Sequence, residues 1–424
     1  MNIYLDMIGC RLNQSEIEIL ARQFSAAGHN LVADPAEADM AVVNTCTVTS
    51  AAAADSRKKI RRIARSGVKN IVSTGCWSEI YPDQALELPG VTSVVSNLEK
   101  DQLVSNLLTL NQGYFEQEPL QRITIPGSRQ RTRAFIKAQD GCRHQCTFCI
   151  TTIARGDSRS ESADTVIKEI NAAVRAGFKE VVLTGVQLGS WGKDSRPGLE
   201  LHDLVGQILA GTDIPRLRLS SIEPWDVHSP LIELLKDERV ARHLHLPLQS
   251  GSIDTLKRMA RAINPSKFAS LVENIRSVVP EIALTTDILV GFPGETEQEF
   301  QDSLEFIRQM EFADGHVFSY SSREGTPAAD YPNQIPHPLR KKRSVLVRDI
   351  LNRSSDRYRR GFIGSELDVL WEDVDDKKQQ AVGLTDNYLR VEAQACQEVW
   401  NTFSRVKITG MAQNGVQGEI QSQE

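Results

Sequence analysis

No stretch of this 424-residue chain comes near the roughly 18–20 consecutive apolar residues that a membrane-spanning helix needs. Its first residues, Met1-Asn2-Ile3-Tyr4-Leu5-Asp6, lack a basic start followed by an apolar core, so no secretory leader and a cytoplasmic location are expected. Aromatic residues are scarce at 6%, yet 40% hydrophobic and 25% charged content is ordinary for a globular protein of two or three domains. The formal net charge is only −6, and all of it falls in residues 364–424, which carry eleven acidic and five basic side chains. A modest overall charge does not exclude nucleic acid, because binding depends on local basic patches. Cysteine is sparse as well, and seven is an odd number. A disulfide framework is therefore not expected; clustered cysteines in such a chain point to metal chemistry in a reducing compartment.

Three of the seven stand in Cys142-Arg143-His144-Gln145-Cys146-Thr147-Phe148-Cys149, just past an apolar run and Gly141. Thiolates spaced this way can bind three irons of a [4Fe–4S] cube, and no cysteine nearby serves the fourth iron. An open position on a metal is where a substrate or cofactor binds, whereas an electron carrier supplies four cysteines. Arg143, His144 and Gln145 make the segment polar and loop-like, which argues against three buried or zinc-binding thiols.

Strand-like and helix-like segments alternate over residues 1–111. Ile3–Ile8 ends at Gly9-Cys10, and a helix follows from about Asn13 to Ala27. Met40–Val43 ends at Asn44-Thr45-Cys46, and a helix follows from about Thr49 to Arg65. Asn70–Thr74 ends at Gly75-Cys76, and Val91–Val95 reads as a further strand. This alternation predicts an α/β domain with a doubly wound parallel sheet. Cys10, Cys46 and Cys76 each follow the C-terminal end of a strand, the edge where such sheets bind ligands. The three are therefore expected to converge as a second three-thiolate cluster site, again with an open iron. Asn13, Gln14, Asn44 and Thr45 either hydrogen-bond around that site or serve as turn and capping residues. Arg57, Arg61 and Arg65 recur on one face of the second helix, either as a docking face for a phosphate backbone or as a solvated surface.

Residues 112–128 read as a linker with a short strand near Ile123. Over 129–360, six strand-like runs (Ala134–Ala138, Glu180–Thr184, Leu217–Ser221, His243–Leu248, Ala283–Val290 and His316–Tyr320) alternate with helical patterns such as Ala163–Ala176 and Glu297–Met310. Six units predict a partial (β/α)6 barrel, since a closed one needs eight. The first strand runs into Asp140-Gly141-Cys142, which places the cysteine loop at the C-terminal mouth, where barrel active sites lie. Gln187, Glu223 and Gln249 follow later strands at the same mouth; a cofactor role is preferred for Glu223 and Gln249, and for Gln187 a turn role stands equally. Asp287 is either a pocket residue or a buried structural carboxylate. His245 reads as structural, Arg155 and Arg159 as surface salt-bridge residues, and Arg340-Lys341-Lys342-Arg343 as the surface start of a helix. Five short strand candidates within 361–424 predict a small β-barrel, with Cys396 structural.

The cysteine triplet, with Phe148 before its third member, resembles the signature of radical S-adenosylmethionine (SAM) enzymes. Taken with Gly9-Cys10, Asn44-Thr45-Cys46, Gly75-Cys76, Ala154-Arg155-Gly156 and His245-Leu246-Pro247-Leu248-Gln249-Ser250-Gly251, the whole chain resembles the methylthiotransferase family. Its terminal segment is similar to the TRAM fold of RNA-modifying enzymes, although its acidity is odd for a domain that touches RNA. Asn44–Thr49, Ser56–Arg62, Leu219–Pro224 and His316–Ser321 are most similar to the threonylcarbamoyladenosine branch. The resemblance implies methylthiolation of C2 of N6-threonylcarbamoyladenosine next to the anticodon of tRNA. It implies two [4Fe–4S] clusters, with SAM both as methyl donor and as source of a 5′-deoxyadenosyl radical. The sulfur would belong to the Cys10/Cys46/Cys76 cluster and the radical to the Cys142/Cys146/Cys149 cluster. SAM would be held around Phe148, Gln187, Glu223, Gln249, Arg261 and Gly291, with Arg261 either toward its carboxylate or in a surface salt bridge and the Gly291–Glu295 turn toward its adenine. An electron donor such as flavodoxin or ferredoxin and a sulfur donor are further expectations. Isopentenyl-adenosine tRNA and a ribosomal-protein aspartate are alternative substrates for the same chemistry. A non-catalytic iron–sulfur RNA-binding module is the alternative class; the incomplete ligand sets and the polar barrel mouth weigh against it.

Overall fold

A computed structural model describes residues 1–111, 113–115, 125–126, 132–195 and 198–421. Most of the expected linker, including the strand near Ile123, lies outside the described residues. The chain begins with β1 (Asn2–Met7), α1 (Arg11–Ala26), β2 (Asn30–Leu31), β3 (Met40–Thr45), α2 (Ser50–Arg65), β4 (Ile71–Gly75), α3 (Cys76–Ile80), α4 (Pro82–Leu86), β5 (Val91–Val95) and α5 (Leu103–Leu108). The five strands form one parallel sheet in the order β2-β1-β3-β4-β5. Every residue of β3 and β4 is buried, as expected of central parallel strands covered on both faces. Ile3, Leu20, Phe24 and Leu103 pack on one face; Ile60, Ile63 and Trp77 pack on the other. Thr49 caps α2 by accepting from the Ala52 amide at 3.1 Å, which fixes where the chain turns after Cys46.

The next unit contains β6 (Arg133–Lys137), β7 (Gln139–Asp140), α6 (Thr151–Arg155), β8 (Arg159–Ser160), α7 (Ala163–Arg175), β9 (Glu180–Thr184), α8 (Leu201–Gly211), β10 (Arg216–Leu219), α9 (Ser229–Leu234), β11 (His243–His245), α10 (Ile253–Arg258), α11 (Pro265–Val278), β12 (Ala283–Val290), α12 (Glu297–Met310), β13 (Asp314–Ser319) and α13 (His337–Arg360). Parallel strands β6-β9-β10 and β11-β12-β13 are joined by bridges Leu217–Val240 and Ser221–His245 into a curved wall of six strands. Among the described residues its end strands, β6 and β13, do not pair, so the barrel is partial. Ala134, Ile136, Val181, Leu183, Leu217, Leu244 and Leu284 face the helices. The alternate positions Arg133, Glu180, Arg218, His243, Thr285 and Asp287 face the lumen, as the two-residue period of a strand requires. The fourth strand stops at His245, shorter than expected. Pro247 has no amide to donate, and the chain continues through Leu246 N to Thr285 O at 2.8 Å and an isolated Gln249–Ile288 bridge. The basic run at 340–343 is not all surface. Arg343 is buried against Glu295 at 2.6 Å and Arg340 packs on Gly291, leaving Lys341 and Lys342 exposed.

The first sheet is fastened to the barrel along its length, with α1 lying against β6. Arg22 pairs with Glu169 at 2.8 Å, Lys137 with Asp101 at 2.9 Å, and Asn97 donates to Ala154 O at 2.6 Å. Ser50 and Ser321 share a hydrogen bond of 2.7 Å.

β14 (Glu366–Asp375), β15 (Gln380–Thr385), β16 (Arg390–Gln394), β17 (Phe403–Ala412) and β18 (Gly415–Ile420) close into a small barrel in the order β14-β15-β16-β18-β17. Val369, Trp371, Val391, Val406 and Val416 fill it. The small barrel is docked by arginines from the lumen of the large one. Arg216 donates to Leu384 O at 3.0 Å and to Asp368 O at 3.1 Å. Arg218, fully buried, donates to Asp386 O at 2.9 Å, Thr385 O at 3.0 Å and the Glu180 carboxylate at 2.7 Å. Tyr388 stacks on His243 at 4.2 Å and accepts from Arg11, next to Cys10, at 3.0 Å. A cavity of about 310 Å³ lined by Arg133, Tyr358, Arg359, Tyr388 and Arg390 separates the two barrels at the N-terminal ends of β12 and β13.

This interface makes stability pH-dependent. Burial alone would raise the Glu180 carboxyl, but Arg218 outweighs it and holds the group below its usual range. Burial likewise opposes Asp386, and Arg242 outweighs it. Carboxyls depressed by folding stabilise above their unfolded values near about 4 and lose that contribution as pH falls through the folded values. Burial also holds His243 neutral, below its usual range, so the urea midpoint is expected to begin to decline below about pH 6.5 and to fall more steeply below about pH 4. Glu180→Gln should lower stability at pH 7 by about 3 kcal/mol and flatten the acid limb. A wild-type midpoint unchanged down to pH 3 would contradict this account.

Candidate active site

Three strand-end turns of the first sheet meet at one place. Gly9 has φ +121°, and a Cβ there would lie 2.8 Å from Cys46 Cβ and 2.9 Å from Cys46 Sγ. Gly75 has φ +92°, and a Cβ there would lie 2.4 Å from Thr45 O. Only glycine allows both turns, and they bring Cys10, Cys46 and Cys76 into mutual electrostatic range. Asn13 binds the turns together, donating to Ile8 O at 2.7 Å and Thr45 O at 3.2 Å, with its Oδ1 3.7 Å from Cys10 Sγ. Thr45 donates to Thr74 O at 2.6 Å, and Asn44 donates to Glu16 at 2.8 Å. These three polar residues thus support the cysteine turns, whereas Gln14 donates along α1 to Glu18 at 2.8 Å.

The second set occupies the loop after β7. The amides of His144 and Thr151 each point at a thiol, Cys142 and Cys149 respectively, at 3.4 Å. Cys142 lies 3.2 Å from Gln187 Oε1, and Gln187 also contacts His144 and, at 3.3 Å, Asp226. Arg261 is buried, 3.7 Å from Cys146 Sγ, and forms a forked pair with Glu223 while donating to Pro247 O at 2.8 Å. Its ring-stacking partner is Trp225 at 4.5 Å. Phe148 packs with Met259, Phe292 and Tyr320 behind the loop. Gln249 has φ +70° and is held by backbone bonds to Asp287 and Leu289, both 2.8 Å. Asp287 pairs with His245 at 3.3 Å on the lumen side, so His245 is not simply part of the core. Gly291 N donates to Glu295 at 2.8 Å, which closes that turn.

The donor chemistry of both sets fits iron–sulfur ligation. Burial pushes the Cys46 and Cys142 thiols up to about 11 and raises Cys10 and Cys146, with the neighbouring cysteines adding to the effect in each set. Protonated, crowded thiols give up those protons to a metal. Among the described residues no three His, Cys, Asp or Glu side chains converge on a single-ion point; thiolates of a cube each take a different iron and need not converge.

Between the two sets lies Arg155, expected on the surface but 2% exposed. It donates to Asn13 at 2.7 Å, Glu16 at 2.7 Å and Asp140 at 3.0 Å. Asn13 neighbours Cys10 and Asp140 precedes Gly141-Cys142, so one guanidinium spans both sites. Lys100 adds a 2.9 Å bond to Glu16. Burial would raise Glu16, but Arg155 and Lys100 hold it far below the usual carboxylate range. Glu16 breaks the apolar stripe Leu12, Leu20, Phe24 of α1, and that break is the sequence signal for this network. Arg159 is the more exposed partner, 3.4 Å from Asp140. On α2, Arg61 and Arg65 are exposed and Arg57 lies over Trp77 at 5.7 Å.

A six-stranded partial barrel with a three-cysteine loop at its mouth defines a radical-SAM enzyme, and residues 136–307 match the Radical SAM superfamily. Residues 2–96 match the uncharacterized protein family UPF0004. Threonylcarbamoyladenosine tRNA methylthiotransferase MtaB of Bacillus subtilis is 33% identical over 95% of this chain and 92% of its own. MtaB of Thermotoga maritima is 38% identical over 87% and 86%. The tRNA-2-methylthio-N(6)-dimethylallyladenosine synthase of Ehrlichia canis is 28% identical over 99% of each. In fold, the radical SAM methyltransferase TsrM from Kitasatospora setae is similar with a TM-score of 0.58 at 15% identity, covering 77% of both chains. The chain belongs to the radical-SAM methylthiotransferase family, most similar to its threonylcarbamoyladenosine branch. It is an enzyme that transfers methylthio groups with SAM and a [4Fe–4S] cluster.

Proposed function

We propose that this enzyme methylthiolates C2 of N6-threonylcarbamoyladenosine in tRNA, in the cytoplasm, using two [4Fe–4S] clusters. The observation that carries the reading is the pair of three-cysteine sites mounted on one buried arginine. When bound, the clusters and SAM supply the sulfur, the methyl group and the hydrogen-abstracting radical that an unactivated aromatic C–H bond demands. Cys142, Cys146 and Cys149 hold one cluster in the barrel unit, residues 129–360. Cys10, Cys46 and Cys76 hold the other in residues 1–111. Each set leaves one iron without a cysteine.

The chain's own residues bind and orient. Glu223, fixed by Arg261 beside Cys146, accepts hydrogen bonds from SAM; Gln187 and Gln249 line the same mouth, and Gly291 offers its backbone. Arg261, already forked onto Glu223, acts as the positioning residue more than as a direct carboxylate ligand. Phe148 and its apolar neighbours exclude water behind the loop. Arg57, Arg61 and Arg65 meet the tRNA backbone, and residues 361–424 form the TRAM-like domain. A reductant such as flavodoxin or ferredoxin and a separate sulfur donor complete the reaction.

Mass spectrometry of tRNA nucleosides and of ribosomal proteins from a deletion strain tests the assignment. Loss of 2-methylthio-N6-threonylcarbamoyladenosine alone is expected. Loss of the methylthio isopentenyl nucleoside, or of ribosomal-protein aspartate methylthiolation, would reassign the substrate.

A further inference from the structure

The loop after β13 carries Arg323, whose Nε and Nη2 are sealed from water and have no partner among the described residues. The ionisable neighbours that act on it are Tyr81 and Cys46, which place it beside the first cysteine set. The loop is also tied to the second set: Ala328 N donates to Thr147 O, within the cysteine loop, at 2.9 Å. Ser321 bridges to Ser50 at the start of α2, and Thr326 closes the turn by donating to Arg323 O at 2.7 Å. Arg323 is thus held between the two sites from both sides. Exposed apolar side chains belong to the same region: Ile153, in contact range of this loop at Gly325, is 52% exposed, and Val48, two residues past Cys46, is 56% exposed. A flat base can rest on such side chains.

Nε and Nη2 form one edge of the guanidinium plane, two parallel N–H donors that match the two oxygens of a carboxylate. We propose that Arg323 is the specificity residue for the substrate, receiving the carboxylate of the threonyl group on the target adenosine. The inference rests on the proposed function and deepens it, because an isopentenyl substituent has no anion to offer and would leave both donors buried and unpaired. Discrimination by such a buried polar group is large compared with discrimination by shape.

The test measures binding of fluorescent anticodon stem-loops to the holoenzyme. The probes carry N6-threonylcarbamoyladenosine, its carboxylate methyl ester, or plain adenosine. Wild type should bind the acid form about tenfold to a hundredfold more tightly than the ester. Arg323→Met should lose that factor on the acid form and bind acid and ester alike. Arg323→Lys, which keeps the charge without the fork, should fall between. Equal weakening of all three probes would mean a phosphate contact or a structural role and would overturn the proposal. So would an altered electron paramagnetic resonance spectrum of the reduced variant with its acid preference intact, which would place Arg323 on cluster sulfur. If wild type prefers the acid over plain adenosine but ignores esterification, the Arg323 assignment fails alone. If wild type has no preference between acid and plain adenosine, the substrate reading fails and takes this one with it.

Discussion

Arg155→Met should destabilise the protein by about 3 kcal/mol, measured as a shift in urea unfolding at constant slope. Removing one partner from a buried ion pair leaves the other charge uncompensated, at a typical cost of about 3–5 kcal/mol. The lower end applies here, because Glu16 keeps Lys100 at 2.9 Å and Asp140 keeps Arg159 at 3.4 Å. Asn13 also loses its 2.7 Å donor, and Asn13 holds the Cys10 and Cys46 turns together. The variant should therefore load less iron at the first site even where folding is intact. Arg155→Lys retains the charge but not the three-way fork, and should recover part of the stability and little of the geometry. A loss below about 1 kcal/mol with full iron content would show that the network does not organise the two sites.

Alanine at Cys10, Cys46 or Cys76 should abolish methylthiolated product while 5′-deoxyadenosine remains detectable under anaerobic reduction. Alanine at Cys142, Cys146 or Cys149 should abolish both. A urea midpoint for each variant separates loss of the site from loss of the fold, since a bound cluster also adds folding free energy. Cys46 and Cys76 are 4% and 6% exposed, and trimming one sulfur from such a site costs about 1 kcal/mol. With one cube in each set, as proposed, iron per chain should fall to about half in either group. Methylthio product from any first-set variant would remove the sulfur from that site. Persistent SAM cleavage in a second-set variant would remove the radical chemistry from the barrel loop.

Both cysteine sets were legible in sequence because their logic is local. The triplet is contiguous, and each of the other three follows a strand marked by its own apolar run and turn. The six barrel strands were legible for the same reason, apart from β11, where Pro247 ends regular pairing earlier than the apolar pattern suggests. Arg155 was not legible. Its partners Asn13 and Glu16 come from α1 and Asp140 from β7, more than a hundred residues apart, and a charged residue after a cysteine motif looks like a surface residue until those partners are known. Arg323 was invisible for a related reason: what distinguishes it is the lack of a partner, and sequence carries no record of that. The run at 340–343 reads as four equivalent charges, yet the period of α13 buries Arg343 and exposes Lys341 and Lys342.

The fastenings between the first sheet and the barrel bear on motion. Arg155, the Arg22–Glu169 pair, the Asn97–Ala154 bond and the Ser50–Ser321 bond lie at separate points along the contact, and the Arg11–Tyr388 bond ties the same sheet to the small barrel. Swinging the units apart would break these bonds together, each a net contribution of about 1 kcal/mol, so the closed arrangement is favoured. The fastenings favour a constant separation of the two cysteine sets, so in the proposed reaction it is the target base that would be reoriented between them.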